Sequence, residues 1–141
     1  MFDNKLQVSL YRYNPEEDKF PYMKKYAIEK PKKDIMVLDL LNLLKEQDQS
    51  ISYRRSCREG VCGSCAMNID GVNTLACLKS MSDVKNEIKI YPLPHMRVVK
   101  DLVPDLSKAY EQLASIKPWL QREKTNEEKN SGERKKTITK R

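Results

Sequence analysis

The 141-residue sequence is short of several things, and each shortage removes a class of function. No stretch of eighteen apolar residues occurs, and a helix that crosses a bilayer needs about twenty, so no direct membrane span is expected. The opening residues, MFDNKLQVSLYRYN, lack the basic start and continuous apolar middle of a secretory signal. They do not make a convincing mitochondrial transit peptide either, because hydrophobic alternation begins at once. A chain acting inside an organelle is therefore expected to have been processed before Met1 or made in place. Without a secretory route, reading the cysteines as disulfides is weakly supported. Histidine occurs once, at His95, and no nucleophile or acid–base constellation accompanies it, so no catalytic residue is expected. The net charge is +7, yet no zinc-finger, RNP or recognition-helix pattern is present and few aromatics separate the basic residues. A nucleic-acid partner is not expected. A solvated basic surface, with a concentration at RKKTITKR near the end, or an acidic protein partner, fits the charge better.

Hydrophobic periodicity organises what is there. KLQVSLYRY alternates, with Leu6, Val8 and Leu10 on one side, and predicts a half-buried strand. After the turn signal Asn14-Pro15, YMKKYAIEK predicts a second strand with Tyr26 and Ile28 inward, closing a hairpin. The period then changes: Val37, Leu40, Leu41 and Leu44 line one face of a helix, with Asp34 as its expected N-cap and Asp39 and Asn42 facing solvent. AMNIDGVNTLA predicts two short strands around Asp70-Gly71, and EIKIYPL a last strand with Ile88 and Ile90 inward. One amphipathic helix and too few strands for a sandwich imply an α+β fold, a mixed sheet with a helix across it. Three segments are expected: a domain over 1–95, a partner-docking segment with a short helix over 96–120, and a charged flexible tail over 121–141. Leu106, Tyr110 and Leu113 form the apolar stripe of that short helix, which has little stability without a surface to lie on. The tail's composition is that of a disordered or partner-held segment.

All four cysteines stand in SCREGVCGSCAMNIDGVNTLAC, residues 56–77, spaced Cys-x4-Cys-x2-Cys-x11-Cys. A structural zinc site usually shows two paired knuckles, and here Cys62 and Cys65 alone make such a pair. A Cys-x4-Cys-x2-Cys run followed by a distant cysteine is the plant-type 2Fe–2S spacing. The residues between the thiols favour the cluster. A chain wrapping one end of a flat cluster must bring amide N–H groups close to sulfur, which suits Gly60 and Gly63, while Ser64 is small and adds a hydroxyl donor.

SYRRSCREGVCGSCAMNIDGVNTLAC resembles the 2Fe–2S loop of the iron–sulfur subunit of succinate dehydrogenase (respiratory complex II) and fumarate reductase. The short x11 interval fits that family better than soluble ferredoxins, and YPLPHMRVVKDLVPDLS and SIKPWL match it beyond the loop, so the likeness runs from about residue 5 to residue 120. The resemblance implies that Cys57, Cys62, Cys65 and Cys77 bind a 2Fe–2S cluster, with Arg58, Gly60, Gly63 and Ser64 set around it. It implies the β-grasp of plant-type ferredoxins. The implied role is electron relay from the flavin of a separate flavoprotein subunit, through this cluster, to a 4Fe–4S and a 3Fe–4S cluster and on to quinone. The membrane-anchor subunits are implied as indirect partners, on the matrix side of the mitochondrial inner membrane or the cytoplasmic face of a bacterial one. The family's second, helical domain carries the other two clusters, and no cysteine follows Cys77. A split subunit, with those clusters on a separate chain, is therefore expected, a fragment being the alternative. Two other functions compete: a free-standing 2Fe–2S ferredoxin, which needs no extension over 96–141, and a zinc-stabilised interaction module, which would be colourless. Arg58, between two thiols, is the best candidate to raise the cluster's potential or to meet the flavoprotein. Arg54 reads equally well as solvated charge, His95 as structural, and Trp119 as an anchor for docking.

Overall fold

The two periods of the sequence become the two halves of one core. The computed structural model describes residues 5–84 and 86–121; the expected tail beyond Gln121 lies outside them. Strands β1 (Lys5–Arg12) and β2 (Tyr22–Glu29) form the first hairpin, and helix α1 (Val37–Gln47) follows. After the cysteine loop come β3 (Ala66–Ile69) and β4 (Val72–Leu75), a 3-10 turn over Met81–Asp83, and β5 (Glu87–Tyr91). The five strands make one mixed sheet in the order β2-β1-β5-β3-β4, in which β1 and β5 run parallel and the other pairs antiparallel.

The alternation in β1 puts Leu6, Val8 and Leu10 fully inside, beside Ile88 and Ile90 of β5. From α1, Val37, Leu40, Leu41 and Leu44 join the same core, and Leu38 with them. Each such aliphatic side chain contributes about 2 kcal/mol of burial, so the helix is held mainly by this face. The β3–β4 hairpin turns at Asp70 (φ 49°) and Gly71 (φ 86°), the left-handed pair that a two-residue turn of this type requires.

Asp34 does not cap α1. The helix begins after Met36, whose N–H donates to Asp39 Oδ2 at 3.3 Å. The Asp34 carboxylate instead accepts from Ser80 Oγ at 2.8 Å and from the Ser82 N–H at 3.0 Å, so it braces the distant 3-10 turn. Asp39 and Asn42 both take partners on that face: Asp39, its side chain 43% exposed, binds Arg58, and half-buried Asn42 accepts from the Tyr53 hydroxyl at 2.8 Å.

The first compact unit continues past residue 95 to Leu106. Strands β6 (Val98–Lys100) and β7 (Val103–Pro104) form a small second hairpin, and its tip places Asp101 and Leu102 in the interior, 1% and 2% exposed. Arg12 meets it from the end of β1. Its Nε donates to Asp101 Oδ1 at 2.9 Å, Nη1 to Tyr26 Oη and Asp48 Oδ2, and Nη2 to Ser50 Oγ at 2.7 Å. One buried guanidinium therefore ties together β1, β2, the end of α1 and the second hairpin. The second unit holds helix α2 (Ser107–Ile116), none of whose side chains is buried.

Candidate metal centre

The cysteine loop begins where the core ends. Ile51 is fully buried, and the chain then runs irregularly to Ala66, where β3 begins. Cys65 precedes β3, and Cys77 follows β4 within a turn. The Ala76 N–H donates to the Cys65 carbonyl at 3.1 Å, and the Leu38 N–H of α1 donates to the Ala76 carbonyl at 2.9 Å. These two bonds fix the backbone of both cysteines against the sheet and the helix. Cys65 and Cys77 are 3% and 6% exposed. Cys57 is half-buried and Cys62 exposed, on the outer part of the loop.

The loop amides point at sulfur. The N–H groups of Val61 and Cys62 both donate to Cys57 Sγ at 3.3 Å. The Ser64 hydroxyl lies 3.1 Å from Cys62 Sγ. Together with amides from the loop, that contact draws the Cys62 thiol down to about 6, so the exposed sulfur is a thiolate at neutral pH. Burial and the neighbouring Cys65 push the Cys77 thiol up, against a lowering contribution from the Gly60 amide. Cys57 and Cys62 stand on the outer part of the loop, joined by the Cys62 N–H bond to Cys57 Sγ, and Cys65 and Cys77 are buried, with Cys77 neighbouring both Cys65 and Cys57.

This donor set fits a two-iron cluster. Four thiols are the donor number that two irons share. Sulfur-directed amides also match, because hydrogen bonds to the sulfurs set a cluster's potential.

Each expected neighbour of the cluster has a defined place. Gly60 has φ +76°, and a Cβ there would stand 2.7 Å from Leu78 Cδ1. Gly63 has φ +71° with no protein atom within 4 Å of a Cβ, so the protein's demand there is conformational rather than steric. Arg58 takes φ 64° and binds Asp39 Oδ1 at 2.8 Å, with both side chains about half exposed. Its charge is therefore shared with α1. Arg54 is not free surface charge: its Nη1 donates to the Pro104 carbonyl at 2.6 Å. His95 is exposed on a turn at φ 61°. Trp119 is 55% exposed.

Sequence reasoning missed Arg12, Asp39 and Asp101. Arg12 left a trace: it stands in phase with Leu6, Val8 and Leu10, and a charge on the buried phase of a strand announces a buried partner. Asp101 left none, because its partners lie far off in sequence, and neither did the Asp39 bond to Arg58, which leaves the helix for the cysteine loop.

Known proteins place the loop in context. The chain is 52% identical over 122 residues to the mitochondrial succinate dehydrogenase [ubiquinone] iron–sulfur subunit of Dictyostelium discoideum, matching 84% of this chain and 42% of that protein. It is 50% identical over 118 residues to the succinate dehydrogenase iron–sulfur subunit of Paracoccus denitrificans, matching 83% of this chain and 46% of that protein. The chain thus spans less than half the length of these relatives. Its fold is similar to a chain of the Mycobacterium smegmatis Sdh1 complex in the apo form, with a TM-score of 0.73 and 25% identity over 87% of this chain and 54% of that one. The expected ferredoxin-like α+β fold therefore stands. Residues 7–111 match a family described as the 2Fe–2S iron–sulfur cluster binding domain, and the chain belongs to that family.

Proposed function

We propose that this chain is the electron-relay part of a succinate dehydrogenase. It holds a 2Fe–2S cluster between the flavin of a flavoprotein subunit and the 4Fe–4S and 3Fe–4S clusters that lead to quinone. The observation that carries the reading is the half-identity to succinate dehydrogenase iron–sulfur subunits over more than four fifths of the chain. When bound, the cluster supplies one-electron storage.

The chain's own residues supply the rest. Cys57 and Cys62 serve as the outer pair of ligands and Cys65 and Cys77 as the inner pair. The amides of Val61 and Cys62 and the Ser64 hydroxyl offset negative charge on the outer sulfurs. Arg58 contributes positive charge tempered by Asp39. Exposed Val61 on the loop gives the flavoprotein an apolar contact beside the outer pair. The two later clusters need thiols that these 141 residues do not contain, because the four cysteines all stand in this loop. The part of the iron–sulfur subunit that carries them docks on α2 and the residues after it, where Tyr110, Leu113, Ile116, Trp119 and Leu120 are exposed. Among the described residues, no helix is long and apolar enough to cross a membrane. Attachment to the matrix side of the mitochondrial inner membrane, or to the cytoplasmic face of a bacterial one, then runs through the anchor subunits.

Purification from native membranes tests the reading. A flavoprotein and a polypeptide bearing further iron–sulfur clusters should accompany the chain, and its cluster should titrate well above the roughly −400 mV of plant-type ferredoxins. A chain recovered alone, with a plant-type potential, would instead be a soluble carrier. A colourless chain with one zinc and no labile sulfide would be an interaction module.

A further inference from the structure

The second hairpin lies well beyond the last cysteine, yet it grips the chain that leads into the first. Asp101, at the tip and 1% exposed, accepts the Ser52 N–H on Oδ2 at 2.8 Å. The Leu102 N–H donates to the Ser52 carbonyl at 3.2 Å. Arg54 then reaches Pro104 of β7 with its 2.6 Å bond. Three bonds from β6–β7 therefore fix residues 52–54, just upstream of Cys57. The hairpin is itself fixed: Asp101 Oδ1 takes Arg12 Nε and the Tyr13 N–H at 3.0 Å, and the Asp101 N–H donates to the Tyr13 carbonyl at 2.8 Å. Asp101 holds φ 47° to do this.

The opposite end of the loop needs no such device. The backbone at Cys65 and Cys77 is set by the sheet and by α1, whereas from Ile51 to Cys57 the chain forms no regular element, and α1 meets it through side chains, Lys45 Nζ at the Ile51 carbonyl (2.6 Å) and Asn42 Oδ1 at the Tyr53 hydroxyl (2.8 Å). We propose that the β6–β7 hairpin is a clamp on the incoming limb of the cysteine loop, with Asp101 and Arg54 as positioning residues that set where Cys57, and with it the outer sulfur pair, stands. The inference rests on the proposed role of Cys57 as a cluster ligand. Neither residue touches the cluster. Each acts through the backbone between Ser52 and Cys57, so the cluster's retention and spectrum depend on a hairpin that contributes no ligand.

Arg54 is the better place to test this, because its loss leaves no buried charge behind. Arg54→Met removes the bond to Pro104, and Arg54→Lys keeps a donor and the charge. The full chain is reconstituted with iron and sulfide, and iron release to a chelator and the electron paramagnetic resonance spectrum of the reduced protein are recorded. Unfolding of the cluster-free chain is followed in parallel. Arg54→Met should release iron roughly fivefold faster, the factor that one net hydrogen bond carries, with a shifted spectrum. Its unfolding midpoint should stay near that of the unaltered chain, and Arg54→Lys should restore both cluster readouts. The ratio should persist in 1 M salt, where the screening length falls to about 3 Å. Equal release rates in all three proteins, or a ratio that vanishes in high salt, would overturn the clamp. An unaltered chain that takes up no iron and sulfide would overturn the cluster reading itself, and the clamp with it.

Discussion

Replacing Arg12 by methionine should remove a large share of this domain's stability. The guanidinium loses water on burial, which by itself disfavours its charge, and its bonds to Asp101 and Tyr26 more than reverse that, raising its pKa. The side chains of Arg12 and Asp101 are 8% and 1% exposed, so solvent screens their pairing little. Methionine fills most of the space but strands the Asp101 carboxylate in the interior with two backbone donors and no counter-charge. Breaking a buried pair in this way costs about 3–5 kcal/mol, against a total of roughly 5–15 kcal/mol for a domain. For about a hundred residues that is a fall in Tm on the order of 15–30 °C. Urea unfolding of the cluster-free chain, followed by circular dichroism, measures it. Adding Asp101→Asn removes the stranded charge while keeping an acceptor oxygen, so the double variant should lose less than the sum of the singles, by about 2 kcal/mol. A loss under about 1 kcal/mol for Arg12→Met, or strict additivity, would refute the idea that a desolvated pair holds the hairpin.

Asp48 should make the fold acid-sensitive. Its bonds to Lys24 and Ser50, with those from Tyr26 and Arg12, hold its carboxyl well below the usual carboxylate range. The unfolded chain therefore binds that proton first, and the stabilisation is complete above about pH 4. It is lost as pH falls below that toward the folded value, and Asp48→Asn should flatten this acid limb in a pH series of unfolding curves. Gly60→Ala should cost about 1–2 kcal/mol, the penalty of a left-handed residue bearing a Cβ. Adding Leu78→Ala should relieve the 2.7 Å contact without removing the strain, so a double variant with full stability would show that crowding alone required the glycine. In the cluster-free chain near pH 7, alkylation followed by mass spectrometry should label exposed Cys62 first and buried Cys65 and Cys77 last. Uniform labelling would contradict the division into outer and inner pairs.

The core was legible wherever a period could run. Leu6, Val8 and Leu10 announce a strand, and Val37, Leu40, Leu41 and Leu44 a helix, because one face of each had to be apolar. The turn at Asp70-Gly71 was legible from its two residues alone. The β6–β7 hairpin was not. Strands of three and two residues are too short to show alternation, one of them contains Pro104, and the hairpin is held largely by the Arg12–Asp101 pair between residues far apart in sequence. Asp34 misled for the same reason: its local position suits a helix cap, and its carboxylate is taken by Ser80 and Ser82. At the candidate centre, the spacing and glycines marked the loop, but the burial of Cys65 and Cys77, the Arg58–Asp39 bridge and the hold on residues 52–54 come from the tertiary arrangement.

The parallel pairing of β1 with β5, Gln7 opposite Glu87, also sets an order of events during synthesis. The first strand cannot meet its central neighbour until residues 87–90 have been made, and chains grow at about 5–20 residues per second, so it waits on the order of ten seconds. Cys57 to Cys77 are all translated within that wait. Every thiol thus reaches the surroundings of the ribosome on a chain whose sheet is still open, including the two that end buried. Keeping them reduced until iron and sulfide arrive becomes a race between delivery and oxidation, which begins before the domain has an interior.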